Sequence, residues 1–132
     1  MSYTIKNLRE IEDVAPEFGF SEVQEARFPR KDLESETIGL AFYLVRPGCR
    51  QAFAHRHEQA EEIYVVLSGR GRIKLENEIH DVGPMDAIRV APALARAFEA
   101  GPDGLELLVF GPRYETDGEV LRDKFWPEEA DK

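Results

Sequence analysis

Residues 53–71, FAHRHEQAEEIYVVLSGRG, decide the reading of this chain. They read as strand, short turn, strand, and the two-residue period of a strand puts His55 and His57 on one face, where both rings reach one point. Glu62 opens the second run (Ile63, Tyr64, Val65, Val66, Leu67), so a hairpin folds its carboxylate back toward that same point. Two neutral imidazoles and one carboxylate suit a divalent first-row metal with open coordination positions. On spacing alone the alternative is a chance surface cluster, since short H-x-H runs near acids also occur without an ion.

Outward from this stretch the chain keeps its β character. Strands are expected at 37–46, 51–57, 62–67, 71–75, 79–82, 86–90, 95–100 and 105–110. Turn signals separate them at Arg46-Pro47-Gly48, Ser68-Gly69-Arg70-Gly71, Glu76-Asn77, Gly83-Pro84 and Gly101-Pro102-Asp103-Gly104. Regular short strands with tight turns indicate a sandwich or barrel, and the absence of βαβ alternation excludes a doubly wound parallel sheet. Residues 1–35, with Pro16, Gly19 and Pro29, read as an arm of short strands wrapping a core at 36–112. In the extension 113–132, Asp117 followed by Glu119, Val120, Leu121, Lys124, Phe125 and Trp126 reads as an N-cap and a short helix stopped by Pro127. Phe125 and Trp126 are expected to cover a barrel edge or a partner subunit.

A length of 132 residues fits one domain, which buries roughly two-thirds of the surface its unfolded chain exposes. With no apolar run near 18 residues and no signal-like start, the expected location is the cytoplasm. Cys49 is the only cysteine, so no intramolecular disulfide is available. The net charge of −9, from 26 acidic and 17 basic residues, repels phosphate backbones and anionic lipid. Nucleic-acid and membrane partners are therefore disfavoured.

Gly48, His55, His57, Glu62 and Gly69 resemble the first motif of the cupin superfamily, with a leading spacer of six residues where five is usual. Residues 84–98, PMDAIRVAPALARAF, lie where the second motif belongs, and Asp86, Pro92 and Phe98 are similar to it. Four positions depart from that pattern: Met85 and Ala93 stand for its glycines, Ala91 for its first proline and Arg96 for its histidine. The resemblance implies an all-β double-stranded antiparallel β-helix, the cupin jelly-roll barrel, here with an N-terminal arm and a short C-terminal helix. With no internal repeat, this is a single barrel rather than a duplicated one.

If the interior is the ligand face, strand parity turns Gln51, Phe53, His55 and His57 inward, with Glu62 and Tyr64 on the next strand and Arg96 and Phe98 on a later one. The metal ligands are then His55, His57 and Glu62, and Arg96, Gln51, Phe53, Tyr64 and Phe98 are the expected substrate contacts. His80 reads as a partly exposed strand histidine, or else as a replacement ligand. Arg96 occupies the place of the family's fourth ligand, and a guanidinium has no lone pair to offer a metal. Either the ion keeps three protein ligands and Arg96 anchors a bound acid, or Arg96 pairs with Glu62 and the pocket holds no metal. The first arrangement implies a metal-dependent cupin (iron, manganese, nickel or zinc) acting as an oxygenase, isomerase or lyase on an organic acid. The second implies a metal-free module that binds an anionic small molecule without catalysis. Apolar residues on both faces of strands 37–46 and 62–67 call for a second covering layer, which the usual cupin homodimer would supply.

Overall fold

The computed structural model describes residues 2–112, 117–121 and 125–127. Its strands are β1 (Gln24–Arg27), β2 (Ile38–Val45), β3 (Ala54–His57), β4 (Glu62–Leu75), β5 (Glu78–Val82), β6 (Ala87–Val90), β7 (Arg96–Pro112) and β8 (Gly118–Leu121). A 3-10 turn at Leu8–Glu10 and a one-turn helix α1 (Arg30–Leu33) complete the described elements. The sheet is antiparallel throughout and curls on itself in the jelly-roll manner. One path runs β1-β2-β7-β3-β8, and β4 pairs β5, β6 and β7. β7 therefore meets three strands and ties the barrel together.

Two expected turns lie inside strands. β4 passes through Ser68-Gly69-Arg70-Gly71, and β7 passes through 101–104, with register shifts in their ladder between Val66 and Ser68 and between Gly69 and Gly71. Gly69 faces Leu105 and Gly71 faces Ala100, so Arg70 alone opposes the bulged segment 101–104. Glycine is required here by contact as well as by torsion. Gly69 has φ +81°, and a Cβ on it would run into the carbonyl oxygen of Gly104; at Gly71 it would run into that of Glu99. The glycines that look like turn punctuation instead let two long strands bend together at a barrel corner.

The core follows from strand alternation. Ala41 and Val45 of β2, Tyr64, Val66 and Ile73 of β4, Val82, Val90, and Phe98, Ala100, Leu105, Leu107 and Val109 of β7 form one buried cluster. The opposite parity leaves Ile38, Ile63, Leu67 and Phe110 exposed on the outer face. Only part of that face is covered: Arg9 lies over the Phe42 ring at 5.9 Å and pairs with Glu106 at 2.9 Å.

The arm closes one end of the barrel. β1 pairs with β2, placing Gln24 opposite Val45 and Arg27 opposite Phe42. Asp13 accepts hydrogen bonds from the amides of Ala15 and Ala26, which fixes residues 14–20 over the barrel mouth, with Ile11 and Ala15 buried.

The C-terminal helix expectation is corrected. Gly118–Leu121 is a strand that pairs along the whole of β3, Gly118 with His57 and Leu121 with Ala54. An isolated helix of one or two turns is marginal in water, whereas the unpaired edge of β3 offers a full ladder of hydrogen bonds. Asp117 does accept amide protons, but from Glu58, Gln59 and Ala60 of the β3–β4 turn rather than from a helix of its own. Residues 125–127 are not helical, and positions 122–124 of the expected helix lie outside the described residues. Phe125 and Trp126 cover the outer sheet, with Lys74 Nζ 3.9 Å from the Phe125 ring centroid and Arg50 4.8 Å from that of Trp126.

Candidate metal centre

β3 and the start of β4 bring His55, His57 and Glu62 together, with one ligand atom from each lying within 4.8 Å of the others. His55 Nε2 is 3.5 Å from Glu62 Oε1, and His57 Nε2 is 3.4 Å from Oε2. The imidazoles stand nearly perpendicular, 88° apart at a centroid distance of 5.1 Å. A metal–nitrogen or metal–oxygen bond is about 2.1 Å, so two ligands of one ion sit no more than about 4.2 Å apart, and both histidine–glutamate distances fall within that reach.

Electrostatics around the cluster also fit a cation. Burial pushes the Glu62 carboxyl upward, but the flanking His55 and His57 outweigh it and hold the group well below the usual carboxylate range. Tyr64 donates a hydrogen bond to Glu62 Oε1 at 2.9 Å; burial, then the Glu62 charge, raises its phenol well above the ordinary value, so it remains a donor. His57 has a carboxylate at each nitrogen, Asp117 Oδ2 at 3.3 Å from Nδ1 and Glu62 Oε2 at Nε2, yet both nitrogens are buried and neither contact has hydrogen-bond geometry. A buried polar atom without a partner is costly. An ion between Nε2 and Glu62 would satisfy Nε2, and Asp117, 3.3 Å from Nδ1, is the carboxylate placed to favour the proton there and leave the Nε2 lone pair free.

Asp117 is the site residue that sequence reasoning missed. Burial raises its carboxyl, but the amides of Ala60, Gln59 and Glu58, and then His57, outweigh it and keep it ionised below the usual range. It lies 60 positions from His57, and no local motif links the two.

The expected substrate contacts divide. Phe53 lines a cavity of about 430 Å³ together with His55, His57 and Glu62. Gln51 lines a neighbouring cavity, and its side-chain oxygen accepts from the Phe98 amide at 3.0 Å. Tyr64 and Phe98 are buried in the core behind the centre, their rings 5.1 Å apart. The Arg96–Glu62 pair does not form among the described residues. Although it pairs in register with His55, Arg96 is 1% exposed, and its guanidinium donates to the carbonyls of Ala91 (3.2 Å), Pro92 (3.4 Å) and His55 (3.5 Å), not to Glu62. The turn after β6 leaves carbonyl oxygens facing the interior, and they take the two terminal nitrogens of the guanidinium while its buried Nε has no partner. Pro92 O also accepts the His57 amide at 2.8 Å, so Arg96 braces the backbone that carries both histidines. His80 is exposed and 3.0 Å from Glu78, away from the centre.

The family model of the cupin domain matches residues 41–110, the span that carries the centre. The chain belongs to the cupin family. An uncharacterised protein of Methanocaldococcus jannaschii is 36% identical over 70 residues, covering 51% of this cupin and 56% of that protein. The chain thus matches about half the length of this curated relative. Among solved structures, a cupin protein from Bacteroides fragilis aligns over 97% of this chain and 99% of its own, with a TM-score of 0.68 and 22% identity. Oxalate decarboxylase of Bacillus subtilis, described with Mn(II) centres, aligns over 86% of this chain and 31% of its own, with a TM-score of 0.73 and 21% identity. Likeness at these identities establishes the fold. No helix among the described residues is long and apolar enough to cross a membrane.

Proposed function

We propose that this cytoplasmic cupin binds one divalent first-row ion through His55, His57 and Glu62 and acts on a small organic acid as an oxygenase, isomerase or lyase. The observation that carries this reading is the convergence of two imidazole nitrogens on the two oxygens of one carboxylate at 3.5 and 3.4 Å, with the buried His57 nitrogens lacking hydrogen bonds. A bound ion would supply Lewis-acid polarisation of a ligand oxygen, or a redox centre if it is iron or manganese. The chain's own groups set the rest: Tyr64 and Asp117 orient Glu62 and His57, and Arg96 holds the strand and turn behind them.

Acid recognition passes from Arg96 to Arg30. Arg30, on α1, is the one arginine or lysine among the described residues lining the cavity of the centre, and one of its nitrogens donates to Ser35 O at 3.3 Å. A half-buried guanidinium at the cavity wall suits a carboxylate entering from the arm side. The Arg96–Glu62 pair expected for one metal-free arrangement does not form, since among the described residues Arg96 donates only to carbonyls; a metal-free cupin that binds an anionic small molecule is the alternative reading.

The test is elemental analysis of untagged protein dialysed separately against iron, manganese, nickel and zinc. We expect one ion per chain, lost in His57→Ala. Wild-type protein that stays metal-free in all four would refute the proposal.

A further inference from the structure

A second cavity of about 260 Å³ adjoins the first and shares four walls with it, Phe28, Tyr43, Phe53 and His55. The arm builds its far side, where Phe20 meets Phe53 edge-on at 5.2 Å and Phe18 stacks on Phe20 at 6.4 Å. Phe28 and Tyr43 form another edge-on pair at 5.9 Å. Among the described residues on the walls His55 is the only titratable group besides Tyr43, in a chain whose net charge is −9. The two wall glutamines have their amide oxygens engaged, Gln24 by the Ala52 amide at 2.9 Å and Gln51 by that of Phe98. The Tyr43 hydroxyl, on the boundary between the two cavities, makes no hydrogen bond among the described residues.

These features select the occupant. Apolar cavities hold water poorly, and one of about 150 Å³ is enough to bind benzene, so this chamber has room for a fused bicyclic ring. Walls of aromatic edges and faces favour an aromatic ring over an aliphatic chain of equal area. The position of Tyr43 supplies a donor for an oxygen at the ring's inner edge.

We propose that the ligand is an aromatic compound of one or two fused rings bearing an oxygen donor, with the ring in the arm chamber and the oxygen turned past Tyr43 toward His55 and Glu62. The oxygen's destination rests on the metal reading above; the ring's seat does not.

The test uses the full chain with 2-naphthol, which has the ring and one hydroxyl but no chelating pair, and with 3-hydroxybutyrate, which has no ring. By fluorescence titration and calorimetry, 2-naphthol should bind metal-free and zinc-loaded protein at least tenfold more tightly than 3-hydroxybutyrate. Ala26→Phe, which fills the chamber from β1, should weaken 2-naphthol at least tenfold, and Tyr43→Phe about threefold. Should Ala26→Phe fail to fold, nuclear Overhauser contacts from 2-naphthol to the Phe20 and Phe53 rings of wild-type protein report the same seat. Zinc uptake is measured separately. Ring binding that persists in protein refusing zinc supports the chamber and sinks the metal centre. Equal binding of the two probes, insensitivity to a folded Ala26→Phe, or absence of the Overhauser contacts overturns the chamber, whatever zinc does.

Discussion

Replacing Tyr64 with phenylalanine isolates the interaction that holds Glu62 in place. The hydroxyl donates to Oε1 at 2.9 Å, Tyr64 is 1% exposed, and the Glu62 side chain is 16% exposed. Hydrogen bonds to a charged, buried acceptor contribute about 1.5–3 kcal/mol. Because Glu62 keeps His55 and His57 beside it, the low end applies, about 1.5–2 kcal/mol. Losing one oxygen opens no cavity large enough to add a packing cost. For a chain of this length that is a fall in Tm of roughly 5–7 °C. The assay is urea unfolding of chelator-treated protein at pH 7, run as a double-mutant cycle with Glu62→Met, which keeps length but cannot accept. The coupling energy should equal most of the Tyr64→Phe loss. A coupling below about 0.5 kcal/mol would show that the bond does not stabilise the site, and that Tyr64 serves only as a wall of the core.

Asp117→Asn should lower zinc or manganese affinity by about 10–100-fold, because the carboxylate that sets the His57 proton is lost; a change under threefold in a chelator competition assay would reject that role. The Glu99 carboxyl is raised by burial but held lower overall by its hydrogen bonds to Arg50 and Arg72. A depressed folded pKa contributes stability that is complete above the unfolded value of about 4.3 and is lost as pH falls through the folded one. Glu99→Gln should therefore flatten the acid limb of stability below about pH 4.5, and identical acid limbs would refute it. Leu40 and Ile63 both face Phe110 in register, and Ile38, Ile63, Leu67 and Phe110 are 38–58% exposed, so we propose a dimer through this face. Light scattering should return twice 15.0 kDa at micromolar concentration, and Ile63→Lys should halve it; a constant monomer mass would reject the dimer.

The sequence by itself determined the elements whose causes are local. The two-residue period put Tyr64 and Val66 on the face of Glu62, and H-x-H spacing on one strand with Glu62 opening the next set the cluster of three; strand 37–46, apolar on both faces, did not say that Ala41 and Val45 turn to the core. The sequence did not determine what depends on distant backbone. The glycines at 69 and 71 look like a turn in one dimension, yet they are contact glycines between β4 and β7, a fact visible only when Gly104 and Glu99 lie against them. The helix expected after Asp117 lost to a strand because β3 had an open edge, and only the folded chain shows that edge. Arg96 holds the inward register the motif gave it, but its guanidinium direction was decided by unpaired carbonyls in a turn. The aromatic chamber is assembled by phenylalanines of the arm with Phe53 and Tyr43, residues up to 35 positions apart (18 to 53) that share no periodicity. Side-chain parity is a property of the strand itself, whereas partners for polar groups and walls for cavities are properties of what the fold brings alongside.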